Sequence, residues 1–227
     1  LCPSALAKLN EAALTFGNPS SRHRAGQEAA TLLQHARQVV GRSLGCRMLA
    51  PGELIFTSCG SEANSLAILG TVYAKERRLS NRIITTDSEH ASVEALMQLL
   101  EKQGFDVVRI PTKGGVLDLD ELQRALEQPV LLVSMMLVNN ETGAVMPITQ
   151  MAKWAHRVNP DAIFHTDAVQ GFMKIHIKVK RFFADCISFS GHKIHAPKGI
   201  GALYVKKGIR VAPLLVGGGQ EKGRRSG

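Results

Sequence analysis

The chain has no apolar run long enough to cross a bilayer as a helix. Its best candidate, Val130 to Val138, is far too short and reads as a central strand. Aromatic residues are scarce, at 5% of 227 positions, and no nucleic-acid recognition motif accompanies them. Acidic residues are the minority, 19 against 28 Lys and Arg, which leaves a formal net charge of +9. A basic balance invites a polyanionic partner. Here the basic residues are scattered and cluster only at Lys222, Arg224 and Arg225, so neither nucleic acid nor a membrane is expected as a partner. The four cysteines, Cys2, Cys46, Cys59 and Cys186, form no Cys-x-x-Cys pair and show no zinc-ligand spacing. Free thiols in a reducing compartment, the cytoplasm, are the expectation. His192 and His195 stand three apart, but no carboxylate or cysteine completes a metal set, so no metal is expected. A secretory leader pattern is also missing. The chain opens on Leu1 and stops just after the glycine-rich Gly217-Gly218-Gly219, which reads as a fragment of a longer protein.

What is present is an alternation of helix and strand signals. Apolar residues recur at helical spacing from Ser20 to Leu44, ending at Gly45. Glu53 to Thr57 reads as a strand, and Ser61 to Arg78 as a helix with Ser61 as N-cap. Arg82 to Thr86 is a strand, Ala91 to Gln103 a helix stopped by Gly104, and Asp106 to Ile110 a strand. Asp118 with Glu121 resembles a capping box. Then come the strand Val130–Val138, a helix over about Ile148 to Val158, strands ending at Asp167 and Ser190, and a last strand from Gly201 to Val205. The pattern predicts an α/β fold, a mostly parallel sheet flanked by helices on both faces. Residues 1–16 read as a helix set apart by the Gly17-Asn18-Pro19 turn and belonging to another, smaller domain, with 17–227 forming the large domain.

In open α/β sheets, ligands bind beyond the carboxyl ends of the strands. Every such exit here is polar. Ser58-Cys59-Gly60-Ser61-Glu62 makes a small-residue turn into a helix N-terminus, suited to phosphate. The other exits are Glu89-His90, Asn139-Asn140, Asp167 with Gln170, and Ser190-Gly191-His192-Lys193. A lysine and an aspartate at two strand exits match the needs of pyridoxal 5'-phosphate (PLP): an amine for the cofactor aldehyde and a carboxylate to keep the pyridine nitrogen protonated. On this reading His90 stacks on the ring, Asn140 and Gln170 bond its phenolic oxygen, and Gly60, Ser61, Ser190 and His192 surround the phosphate. Plainer readings stand beside these: a surface lysine, Asp167 as a helix N-cap, His90 as a helix start, Asn139-Asn140 as a turn. Cys59 is either a thiol activated by a helix N-terminus or a small residue packed under the phosphate.

The strings GNPSSRHRAG, FTSCGSEANSLAI, SEHASV, VNNETGAVMPI, HTDAVQ, SFSGHKIHAPKGIGALYV and GGGQEKGRRSG resemble the cysteine desulfurases (NifS/IscS type), class V aminotransferase relatives among the fold-type I PLP enzymes. The resemblance runs from about Gly17 to Gly227. It implies the PLP-binding large domain without the C-terminal small domain. It makes Lys193 the Schiff-base lysine, Asp167 the pyridinium partner, His90 the stacking and proton-transfer histidine, and the other residues named above the ring-oxygen and phosphate contacts. The implied reaction takes L-cysteine to L-alanine and passes sulfur, as an enzyme persulfide, to iron–sulfur scaffold or other sulfur-acceptor proteins, in a homodimer. The family's persulfide cysteine lies beyond Gly227, so this piece alone is expected to be inactive. Where the family has Gly-Ala or Gly-Gly in the phosphate turn, this chain has Cys59-Gly60. A selenocysteine lyase, another class V aminotransferase-like enzyme, and a non-catalytic scaffold remain the alternatives.

Overall fold

The strands are short apolar segments: β1 (Leu54–Thr57), β2 (Arg82–Thr86), β3 (Asp106–Ile110), β6 (Leu132–Ser134), β7 (Ile163–Asp167), β8 (Cys186–Ser190) and β9 (Gly201–Val205). A small hairpin, β4 (Thr112–Lys113) and β5 (Val116–Leu117), lies apart from them. The computed structural model describes residues 1–74 and 80–227. The seven strands form one sheet in the order β1-β9-β8-β7-β6-β2-β3. All pairings are parallel except those of β9, which runs against both β1 and β8. The edge strand β1 pairs with β9 alone, in the register Leu54 with Tyr204 and Thr57 with Gly201. Ten residues between β8 and β9 leave no room for a crossover helix, so the chain turns back antiparallel.

Side chains along each strand alternate between two cores. Ile55, Ile83, Ile163, Cys186 and Leu203 face α3 (Gly60–Ala74) and α4 (Ala91–Lys102). Leu54, Ile84, Phe164, Ile187 and Tyr204 face the opposite layer, built from the end of α2 (Arg24–Ser43), α5 (Leu119–Leu126), α6 (Ile148–Val158) and the short α7 (Val179–Phe182). Helices thus cover both faces, as the alternation predicts. Helix α3 is apolar on nearly every side and lies across β7, β8 and β9, so it is a core helix rather than a surface one. By contrast, α1 (Pro3–Ala13) buries none of its residues. Among the described residues no helix is long and apolar enough to cross a membrane.

Two sequence expectations need correction. The run Val130–Val138 is a strand only over Leu132–Ser134. Beyond Ser134 the chain still bonds β7, through Met135 N–H to His165 and Leu137 N–H to Asp167, but on the β2 side the Met136 N–H goes to the Glu89 carboxyl instead. Ser61 is not the N-cap of α3. The helix starts at Gly60, Cys59 Sγ accepts the Glu62 N–H at 3.5 Å, and Glu62 reaches back to the Ser58 N–H at 2.7 Å. The expected continuation of this helix through Arg78 falls, after Ala74, outside the described residues.

Candidate active site

Six parallel strand ends and the start of β9 lie at one edge of the sheet. The turn after β1 is pressed against its neighbours. A Cβ on Gly60 would lie 2.8 Å from Val169 Cγ2, and one on Gly201 would lie 2.5 Å from the Cys59 carbonyl carbon. Only glycine permits both approaches, and together they fix the N-terminus of α3 over the ends of β7 and β8.

A cavity of about 230 Å³ opens there, lined by Gly60, Ser61, His90, Asn140, Asp167, Gln170, His192 and Lys193, with Cys59, Asn64, Ser92, Met136, Val138 and Val169 completing the wall. Eight of the nine residues singled out from the sequence therefore share one wall. The ninth, Ser190, is buried beside it, its hydroxyl 2.8 Å from His192 Nδ1 and 3.4 Å from the Ile200 carbonyl. Several plainer readings hold at the same time as the placement. His90 does cap α4, its Nδ1 accepting the Ser92 N–H at 3.1 Å. Asp167 does hold its own turn, Oδ1 accepting the Val169 N–H at 2.9 Å. The asparagine pair divides its work: buried Asn139 builds the turn, accepting from the Glu141 and Thr142 N–H groups, while exposed Asn140 lines the cavity.

The electrostatics set two carboxyls apart. Burial pushes the Asp167 carboxyl above the usual carboxylate range, although the Val169 and Asn64 N–H groups and His90 pull it down. Burial likewise raises Glu89 to about 8, against hydrogen bonds from the Met136 N–H and the Thr86 hydroxyl, with the Asp167 charge adding to the rise. Lys193 sits on the 3-10 turn Gly191–Ile194 and makes no hydrogen bond or ion pair among the described residues. At the α3 end, burial would raise Glu62, but bonds from Arg225 and Ser58 hold its carboxyl below the usual range. That pair ties residues near Gly227 to the turn, with Arg225 Nε 2.8 Å from Glu62 Oε1.

Sequence reasoning missed Asn64 and Ser92. Asn64 Nδ2 lies 2.7 Å from Asp167 Oδ2 and 3.0 Å from Ser92 Oγ. A signal existed: Asn64 is a lone polar residue on the stripe formed by Ala63, Ala67 and Ile68.

Residues 2–224 match the aminotransferase class-V family. Among curated proteins, the chain is 46% identical over 213 residues to "Cysteine desulfurase 2" of Trichormus variabilis, covering 93% of this chain and 52% of that protein. The chain thus spans about half the length of the curated relatives it matches. Among solved structures it superposes on a "NifS-like protein" with TM-score 0.94 at 36% identity, covering 100% of this chain and 62% of the other. It also superposes on "SspA in complex with cysteine" with TM-score 0.90 at 36% identity, covering 100% and 65%.

Proposed function

The chain belongs to the aminotransferase class-V family, and on that premise we propose that its cavity binds pyridoxal 5'-phosphate and that the whole protein is a cysteine desulfurase. It would convert L-cysteine to L-alanine and hand the sulfur, as a persulfide, to an iron–sulfur scaffold or other acceptor protein. The observation that carries the reading is that Lys193, Asp167 and the N-terminus of α3 meet on one cavity.

The residues suit the cofactor by their own chemistry. Asp167 is a buried carboxylate whose hydrogen-bond donors, the Val169 N–H and the Asn64 amide, are both neutral. A ring N–H carrying positive charge is the partner that burial makes it lack. The turn at Gly60 and Ser61 offers N–H groups and the positive end of α3 to a phosphate. When bound, the cofactor supplies an electron sink for charge developing on the substrate.

The protein's own part is to bind, orient and move protons. Lys193 Nζ would hold the cofactor covalently, and as a free amine it would carry a proton at that nitrogen. His90, on the cavity wall, would cover the ring face. Asn140 and Gln170 would orient the ring oxygen, and Gly60, Ser61 and His192, with Ser190 behind them, would grip the phosphate. We place the protein in the cytoplasm as a homodimer, and residues 1–16 in a second, smaller domain. The unpaired state of all four cysteines and the unburied face of α1 support the compartment and the domain assignment respectively.

Protein purified with the cofactor should be yellow, and borohydride should fix the label on Lys193. Lys193→Ala should lose that label. A label retained in Lys193→Ala rejects the lysine, and a protein that takes up no cofactor rejects the site.

A further inference from the structure

Three hydrogen bonds join Asp167 to His90 through Asn64 and Ser92. Asn64 Nδ2 donates to Asp167 Oδ2 at 2.7 Å and to Ser92 Oγ at 3.0 Å. Ser92 Oγ lies 2.8 Å from His90 Nδ1, and the same ring nitrogen accepts the Ser92 backbone N–H at 3.1 Å. The four residues come from three elements: α3, the end of β7, and the start of α4. All four line the cavity.

The direction of this relay follows from what each group can do. An ionised carboxylate only accepts. The Asn64 amide must therefore turn its nitrogen toward Asp167. The second hydrogen of the same nitrogen reaches Ser92 Oγ, so the Ser92 hydroxyl hydrogen is free to point at His90 Nδ1. A backbone N–H already points there and cannot reverse. Two donors meeting one ring nitrogen leave Nδ1 unprotonated, so the neutral imidazole carries its proton on Nε2.

A second observation agrees. Asn64 Oδ1 is buried with no hydrogen-bond partner. An asparagine serving packing alone would be expected to satisfy that oxygen. Flipping the amide would set the oxygen against the Asp167 carboxylate. The unsatisfied oxygen is thus the consequence of donating to Asp167 and Ser92 together.

We propose that Asn64 and Ser92 are positioning residues that transmit the state of Asp167 to His90 and fix its ring with the proton on Nε2. The nitrogen left free is then a donor toward whatever occupies the cavity, and Nδ1 is held as an acceptor by α4. The role of His90 toward a cofactor rests on the function proposed above, whereas the placement of the proton does not.

The test uses ligand-free protein labelled with 15N-histidine. Long-range 15N–1H spectra, recorded where the ring is neutral, locate both nitrogens of His90, whose signals are identified by their loss in His90→Gln. Nδ1 should resonate in the unprotonated range and Nε2 in the protonated range. Asn64→Ala, which does not touch the ring, should move both nitrogens part of the way toward averaged positions, because the Ser92 backbone N–H still donates to Nδ1. Ser92→Ala should do the same, and Ser92→Thr, which keeps the hydroxyl, should restore the wild-type positions. A wild-type ring protonated on Nδ1 overturns the proposal. So do unchanged His90 shifts in a folded Asn64→Ala protein. Should Asn64→Ala fail to fold, the serine pair decides: different Ala and Thr spectra support the relay, and identical ones overturn it. Because no cofactor is present, a failed relay is distinguishable from a failed PLP site.

Discussion

Glu89 brings its carboxyl into the protein beside the cavity, where Oε1 accepts from the Met136 N–H and the Thr86 hydroxyl, both at 2.8 Å, and Oε2 is buried without a partner. Its proton affinity rises on folding, from an ordinary 4.5 to about 8. Between those values the folded chain binds the proton and the unfolded chain does not. Stability therefore falls as pH rises through that window, by at most roughly 1.4 kcal/mol per pH unit for one proton. Glu89→Gln keeps the Oε1 acceptor and cannot ionise. Urea unfolding at pH 5 and pH 8.5 should show a smaller loss for Glu89→Gln than for wild type; equal losses would mean that Glu89 is ionised in the fold. Asp167 shifts in the same direction, so some slope should survive the substitution. At this scale the sequence was legible where chemistry and position coincided, as at Lys193 and Asp167. It was not legible for Glu89, whose role depends on a Met136 N–H from the segment that follows β6, or for Ser190, whose hydroxyl turns to His192 instead of the cavity.

Among the elements, those with local chemistry were legible to within a residue or two. Asp118 accepts the Glu121 N–H at 3.0 Å, as the capping-box spacing implied, and α5 follows directly. Asp118→Ala should lower stability by about 1 kcal/mol, read as a shift in urea midpoint with an unchanged slope. No measurable shift would mean that packing of Leu122 and Leu126 alone sets the helix start. Strand lengths and directions were less legible because they depend on neighbours. The apolar run at Val130 gives no hint that a glutamate side chain replaces a strand at Met136, and composition does not reveal that β9 runs antiparallel. A buried imidazole also bridges three strands unseen in the pattern: His165 lies 2.9 Å from both Ser134 Oγ and Ser188 Oγ, and burial lowers its pKa to about 3. That histidine stays neutral when folded but charges when unfolded, so its contribution is present above about pH 6.5 and is lost as pH falls toward 3.

Across the molecule, distant pairs close the chain onto itself. Arg37 of α2 forms a bidentate pair with Glu221, both contacts 2.8 Å, and the two side chains are only 14% and 9% exposed. Glu221 Oε2 also accepts the Phe56 N–H at 3.2 Å, so the pair holds the Gly217–Gly227 segment to the edge strand. Glu221 and Lys222 sit at φ of 48° and 60°, a left-handed conformation that this anchoring sustains. Arg37→Ala leaves a buried carboxylate without its cation and should cost about 3 kcal/mol by chemical denaturation; a loss below about 1 kcal/mol would class the pair with ordinary surface bridges. No local pattern joins residues so far apart, which is why the sequence offered no sign of this closure. A similar separation governs β1. Because that strand has only β9 to pair with, the turn proposed to grip phosphate cannot be seated while the ribosome is still short of Val205. A nascent chain would display Asp167 well before it had a complete pocket, so capture of the proposed cofactor would be an event of late translation or of the released polypeptide.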